Sequence, residues 1–474
     1  MKLLVFILTV FSCLYTPSLA QPVDEKLDAF IRNEMKLKGI PGLSFAVVKD
    51  NKVVQMKSFG YANLDHLVPV TNQTVFPIAS VDKQLIATCI MSLYEKGKLH
   101  FEDPVSKYLD SIPSSWKDMQ IHHLMSHTSG LPDEPLEYKN GKGYDRYTSE
   151  DIYRHIIKQE LAQTTGEKFL YSDAGFFLLQ QIFEKASGLY YPDFVRDSIF
   201  KPLGMEHTRI LDPIEIVKGR SVSYYRNSEG KLLINTFRQI SVGPHYGDIG
   251  TSIEDFVKYN RAIDENKFLI KKSYQRMWTP AILNDGRKVS QLADEEDLFN
   301  AAASYGLGWE LDSFEGRRVV YHAGFTGISF TKFPEQGLTV ILLTNLTYRP
   351  LFSPNAMAKQ IATFYLPGLK NRELPAMQNN PDSPEKIMSL LRQNRPDSTL
   401  FEPSFYRTLL PALVNYQRII ARYGNAKEIR NLYISKENGK TVQTIEAVYP
   451  VGSLLYHVTK NAKGQIDFIS IERK

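Results

Sequence analysis

Three short motifs bring together residues that can do covalent chemistry: Ser80-Val81-Asp82-Lys83, Tyr171-Ser172-Asp173 and His322-Ala323-Gly324. A serine and a lysine three positions apart in a helix lie on one face, a turn apart. The lysine can then take the serine proton where burial or neighbours disfavour its charged form. A serine near a helix N-terminus also has the helix dipole favouring a developing alkoxide. In order, the motifs supply a nucleophilic serine, a lysine base, a tyrosine proton shuttle and an oxyanion wall, so serine-hydrolase chemistry is expected. Ser-x-x-Lys alone says little, because it recurs from Ser114, Ser198, Ser228, Ser329 and Ser383. Ser80 is set apart by Phe76-Pro77-Ile78-Ala79 before it and by an apolar helical pattern after it.

That pattern runs over residues 83–99, with Leu85, Ile86, Cys89, Ile90 and Leu93 on one face. A second amphipathic run follows Tyr171 through Phe176, Phe177, Leu179, Ile182 and Phe183 to Gly188. A strand opens at Ile40-Pro41-Gly42-Leu43, with a hairpin turning at Asp50-Asn51, and late strands fall at Val319-Val320-Tyr321 and over 338–343. Strands at both ends with helices between predict an α+β fold, one antiparallel sheet assembled from the termini of the unit beside a helical subdomain.

The chain has 474 residues, too many for one small core, and 43% hydrophobic and 23% charged residues are ordinary for a folded protein. A net charge of +5 without a basic stripe argues against nucleic-acid binding. Residues 1–20 read as a secretory signal: Lys2, an apolar 3–12, and a small-residue site at Ser18-Leu19-Ala20. The expected location is secreted or periplasmic, with no transmembrane span. Val10-Phe11-Ser12-Cys13 loosely resembles a lipoprotein box, which keeps a lipid anchor at Cys13 as the alternative. Without Cys13 the chain holds only Cys89 and can form no internal disulfide. Residues 21–368 are expected to form the hydrolase domain and 369–384 a linker. Residues 385–474 are expected to form a small α+β domain of unknown role, with a helix over 409–423 and strands over 432–435, 442–449, 454–459 and 466–471.

The motifs resemble those of the serine β-lactamase-related family, which includes class C β-lactamases, D-alanyl-D-alanine carboxypeptidases, D-aminopeptidases and related esterases. The similarity covers roughly residues 25 to 365. It extends to Leu124-Met125-Ser126-His127-Thr128-Ser129-Gly130-Leu131-Pro132, Pro202-Leu203-Gly204-Met205, Tyr305-Gly306-Leu307-Gly308-Trp309 and Leu343-Thr344-Asn345. It implies the penicillin-recognising fold, an α/β sheet domain beside an all-helical one with the site between them. It also implies an acylated Ser80, a Lys83 base, and a Tyr171 that shuttles a proton or activates the deacylating water. The oxyanion hole would be the N–H groups of Ser80 and Phe325. No cofactor or metal is implied. His122, His123 and His127 could suggest zinc, His123 and His127 by their i,i+4 spacing, but no glutamate follows His123, and a structural role is expected.

Two positions depart from the family pattern. Asp173 stands where asparagine is common. Ionised, it can only accept hydrogen bonds, so it would either select a substrate amine or hydroxyl or pair with Lys83 or another cation. His322 stands where β-lactamases carry lysine, and at its ordinary pKa it would be mostly neutral at pH 7.5. Gly324 is expected to let substrate lie close against the strand. The predicted substrate is an ester, a peptide or a D-amino-acid amide, cell-wall material included. A β-lactamase and a non-catalytic binding or sensor protein on the same fold are the alternatives.

Overall fold

The computed structural model describes residues 21–132, 148–211, 215–226, 231–235, 249–289, 304–347, 353–366, 384–393, 395–423, 425–437, 440–449 and 452–473. The signal expected over 1–20, with Cys13, and residues 369–383 of the linker expected over 369–384 lie outside them; Pro384 already opens a helix. The chain divides into two compact units, Met1–Pro367 and Gly368–Lys474.

The first unit is built on an eight-stranded sheet of order β3-β2-β1-β13-β12-β11-β10-β9. Its strands are β1 Gly42–Lys49, β2 Lys52–Asn63, β3 Val68–Pro69, β9 Ser304–Tyr305, β10 Glu310–Phe314, β11 Arg317–Gly324, β12 Ile328–Phe333 and β13 Leu338–Thr344. β1 pairs antiparallel with β13, so both ends of the unit meet in one sheet. The β1–β2 turn falls at Asp50-Asn51, where both residues have positive φ (48° and 63°), the backbone that a two-residue hairpin needs.

The helices are α1 Gln21–Lys38, α2 Lys83–Glu95, α3 Ile121–Met125, α4 Ser149–Ile156, α5 Asp173–Ser187, α6 Tyr191–Val195, α7 Ile253–Asp264, α8 Lys271–Met277 and α9 Pro354–Thr363. Strand alternation assigns them to faces. On β12, Phe330 and Lys332 meet α7: Phe330 lies 5.0 Å from the Phe256 ring, and Lys332 Nζ donates to Asn260 at 2.5 Å and Asp264 at 2.8 Å. Thr331, on the opposite face, donates to Asn355 of α9. With both faces covered, every residue of β12 and β13 is buried. On β2, the alternate residues Gln55, Lys57 and Phe59 meet Asp24, Asp28 and Arg32 of α1.

α2 is buried on nearly every side, from Lys83 to Met91 without interruption. The one-sided stripe read in the sequence understates this, because α5 packs on the helix and the turn at Gly308 reaches Ala87 as well. The helix stops at Glu95 rather than residue 99, before Gly97 at φ 66°. α5 starts on Asp173, capped by the Ser172 hydroxyl accepting from Gly175 N–H, and ends at Gly188 with φ 74°. A small sheet of β4 Phe76–Pro77, β5 Arg209–Ile210 and β8 Ile249–Thr251 leads into Ser80. A hairpin of β6 Tyr224–Arg226 and β7 Leu232–Ile234 completes the unit.

The second unit holds α10 Pro384–Arg392, α11 Pro403–Tyr423 and an antiparallel meander of β14 Glu428–Glu437, β15 Lys440–Tyr449, β16 Gly452–Lys460 and β17 Ile466–Arg473. Its core includes Leu391, Phe401, Leu409, Ile445, Val458 and Ile469. No helix among the described residues is long and apolar enough to cross a membrane.

Candidate active site

Ser80 lies in a 3-10 turn, Ala79–Asp82, that runs directly into α2. Ala79 has φ 49°, a left-handed backbone that costs an L residue about 1–2 kcal/mol. The turn is held from both sides. Ile78 N–H donates to Ile249 C=O at 2.9 Å, and Thr326 Oγ1 donates to Pro77 C=O at 2.6 Å. Of residues 74–91, Ser80 alone is not buried. The fold thus presents one hydroxyl from an otherwise closed segment.

Lys83, one turn on, is buried, and its Nζ donates to Asp173 Oδ1 at 2.5 Å. Burial alone would lower its pKa. The carboxylates of Asp173 and Asp82 outweigh that, and the pKa is raised. The resting Lys83 is therefore an ammonium. Asp173 pairs with it, the simpler of the two roles expected, while its side chain stays 34% exposed. Lys83 Nζ also sits 5.0 Å from the Tyr171 ring centroid and 5.5 Å from that of Phe176. Tyr171 is half-buried and stacks on His127, with centroids 4.2 Å apart.

His322 sits on β11 with 1% exposure, and burial followed by the Lys83 charge pushes its pKa down to about 3. Its side chain lies beneath Tyr305, whose hydroxyl is 3.0 Å from Nε2, so it reaches the site through that phenol. Gly324 is buried at the end of β11, and a Cβ there would fall 2.4 Å from Ile78 C=O. The chain's own serine-bearing segment lies this close, which by itself requires glycine here. β11 runs three residues past its last β10 pairing, Glu310↔Tyr321, which leaves 322–324 without a ladder partner on that side. There Ala323 N–H donates to Glu310 Oε1 at 3.2 Å. Phe325 follows, 38% exposed.

The Ser329 match is not built this way. Ser329 and Lys332 lie on β12, where a three-residue step sends side chains to opposite faces. His123 and His127 do not share a helix face, because α3 ends at Met125 and His127 is already in a turn with φ 56°. His123 Nδ1 accepts from Gln120 N–H.

Sequence reasoning did not single out two of the site's residues. In the sequence His127 reads as one of three structural histidines, and Tyr305 only as part of a stretch shared with the family. Ser172 N–H donates to His127 Nδ1 at 3.0 Å, and His127 Nε2 is 3.2 Å from the Tyr305 hydroxyl. Burial, then the Lys83 charge, holds His127 well below its ordinary pKa. The signal available was the run from Leu124 to Leu131, wholly buried although rich in polar residues. Tyr305 is brought in by the turn at Gly308 (φ 74°), whose Cβ position lies 2.4 Å from Ala87 of α2.

Comparisons with known proteins bear on the family and the fold. The family model described as Beta-lactamase matches residues 27–363. Penicillin-binding protein 4* of Bacillus subtilis strain 168 is 30% identical over 306 residues, 61% of this chain and 64% of that one. The chain thus spans slightly less than two-thirds of that relative's length. The putative penicillin-binding protein PbpX of the same organism is 29% identical, covering 66% and 72%. The octameric penicillin-binding protein homologue from Pyrococcus abyssi shares the fold with a TM-score of 0.61 at 21% identity, over 94% of each chain. EstCE1, a hydrolase with promiscuous acyltransferase activity, gives 0.61 at 18% identity, over 73% of this chain and 99% of that one.

Proposed function

The chain belongs to the beta-lactamase family of serine hydrolases, and from that premise we propose that it hydrolyses an ester, a peptide or a D-amino-acid amide through an acyl-enzyme on Ser80. The observation that carries this reading is the accessible hydroxyl of Ser80, one turn before the buried Lys83 and its ion pair with Asp173. In the proposed first step Ser80 Oγ attacks the substrate carbonyl and its proton passes to Lys83. Lys83 gives its own proton to Asp173 across the 2.5 Å contact, so the ammonium is kept and the carboxylate is neutralised. The oxyanion forms against the N–H groups of Ser80 and Phe325, and the two donors lower the barrier by a few kcal/mol. Tyr171 then gives its proton to the leaving group, is reprotonated from the Lys83–Asp173 pair that took the serine proton, and orients the deacylating water.

Two features favour esters and peptides over β-lactams. The His322 side chain is buried and uncharged where a β-lactamase would offer a fixed cation, and Asp173 adds an acceptor. Both disfavour a substrate carboxylate. The reading includes export by residues 1–20, with Cys13 lipidation as the variant of that route. Intact-mass measurement after a fluorophosphonate probe tests the centre of the proposal. One adduct on the wild type and none on Ser80→Ala is expected. A folded wild type that takes no adduct overturns the reading in favour of a binding protein.

A further inference from the structure

Tyr305 stands between two buried imidazoles, and the protons along that line are fixed by one anchor. The Ser172 N–H can only donate, so His127 Nδ1, 3.0 Å away, carries no proton. His127 is then neutral with its proton on Nε2, and it donates to the Tyr305 oxygen at 3.2 Å. The single Tyr305 proton is left for His322 Nε2 at 3.0 Å. His322 must carry its own proton on Nδ1, which faces Ala323 C=O at 2.9 Å, an atom that can only accept. The far end agrees with the near end, so the chain runs one way from Ser172 N–H to Ala323 C=O.

Both ends belong to motifs that hold reacting groups. Ser172 lies between Tyr171 and Asp173 and caps α5; Ala323 lies two residues before Phe325, on the strand that leads to the proposed oxyanion hole. We propose that Tyr305 is a positioning residue of the reaction: its hydroxyl ties the Tyr171–Asp173 segment to the oxyanion strand through His127 and His322. This rests on the serine-hydrolase reading above. Lys83, Asp173, Tyr171 and Glu310 are the charged or titratable groups around the chain. The Lys83 ammonium opposes a second positive charge on either imidazole. An imidazolium at either position would also turn a needed acceptor into a donor and break the line.

Removing the hydroxyl in Tyr305→Phe leaves the His322 Nε2 lone pair buried without its donor. Displaced reacting groups cost about tenfold or more in kcat, and KM should move much less. His322 also loses the bond that favours its neutral form, so its protonation, and the acid limb of the kcat–pH profile, should move upward. The experiment measures activated-ester turnover against pH for wild type, Tyr305→Phe and Ser80→Ala, with histidine 15N spectra of the wild type recorded in parallel. Expected are an inactive Ser80→Ala, a lowered kcat with a raised acid limb in Tyr305→Phe, and tautomers with protons on His127 Nε2 and His322 Nδ1. An active wild type, an inactive Ser80→Ala and an unaltered Tyr305→Phe overturn the inference alone. An inert wild type, or an active Ser80→Ala, overturns the hydrolase reading and this inference with it. If Tyr305→Phe does not fold, the wild-type spectra decide: the opposite tautomers, or an imidazolium at pH 7, overturn the proposal.

Discussion

The two units bury polar groups for different ends. Around Ser80 the first unit buries Asp82, Lys83, His127, Tyr305 and His322, and links the last three in one hydrogen-bonded line. In the second unit the described core is aliphatic and aromatic, with Tyr449 and Tyr456 sharing a 2.8 Å hydroxyl contact and Gln443 and Glu446 also buried. Burying polar and charged groups costs stability unless every one is partnered. A fold keeps such a cluster where perturbed acid–base behaviour is useful. By that contrast the candidate site belongs to the first unit, while the described core of the second is held mainly by apolar packing.

The largest effect expected is on turnover. Ser80→Ala should lower activated-ester hydrolysis by about 10^4-fold or more, with both units' melting transitions unmoved in calorimetry. Acid should separate the units next. His123, His127 and His322 are neutral when folded, pushed down by burial first and then by His122 for His123 and by Lys83 for the other two. Unfolded, each takes up a proton below pH about 6.5, so the unfolded state gains. The first unit should lose up to about 1.4 kcal/mol per pH unit for each imidazole as pH falls from about 6.5 toward 3. The second unit's raised pKa values are those of Tyr416, Tyr449 and Tyr456, which titrate far above that window. Scans at pH 7 and 5 that moved both transitions equally would break the comparison.

A core truncation sharpens it from the other side. Leu391 is fully buried in the second unit, and Leu391→Ala should lower that unit's stability by about 2–5 kcal/mol. Denaturant titration with a probe in each unit would read it, the first unit's transition staying in place. The smallest effect expected is from Tyr456→Phe, which leaves the buried Tyr449 hydroxyl without this partner and should cost about 1 kcal/mol. The same titration resolves it.

Much of both units was legible as pattern. The four strands of the meander, the Asp50-Asn51 hairpin and the bounds of α5 follow alternation, turn residues and caps, all local signals. α10 was not anticipated, and α11 begins at Pro403, six residues before the expected start. Pro411 lies inside α11 and supplies no N–H to the helix ladder, so local pattern reads badly there while packing carries the helix through.

At the candidate site, the sequence by itself determined the residue types and their order: Ser80 one turn before Lys83, then Tyr171 and Asp173, then His322 and Gly324. These are readable because one helical turn and one strand end set the spacing within each motif. Only the tertiary structure decided which state those groups rest in and what joins them. Lys83 is an ammonium because Asp173, 90 residues away in the chain, comes within 2.5 Å. His322 is neutral because it is buried beside that charge. Tyr305 reaches two imidazoles because the turn at Gly308 packs against α2. Protonation depends on burial and on charges a few ångströms away, and those distances exist only once the chain has closed the sheet against its helices.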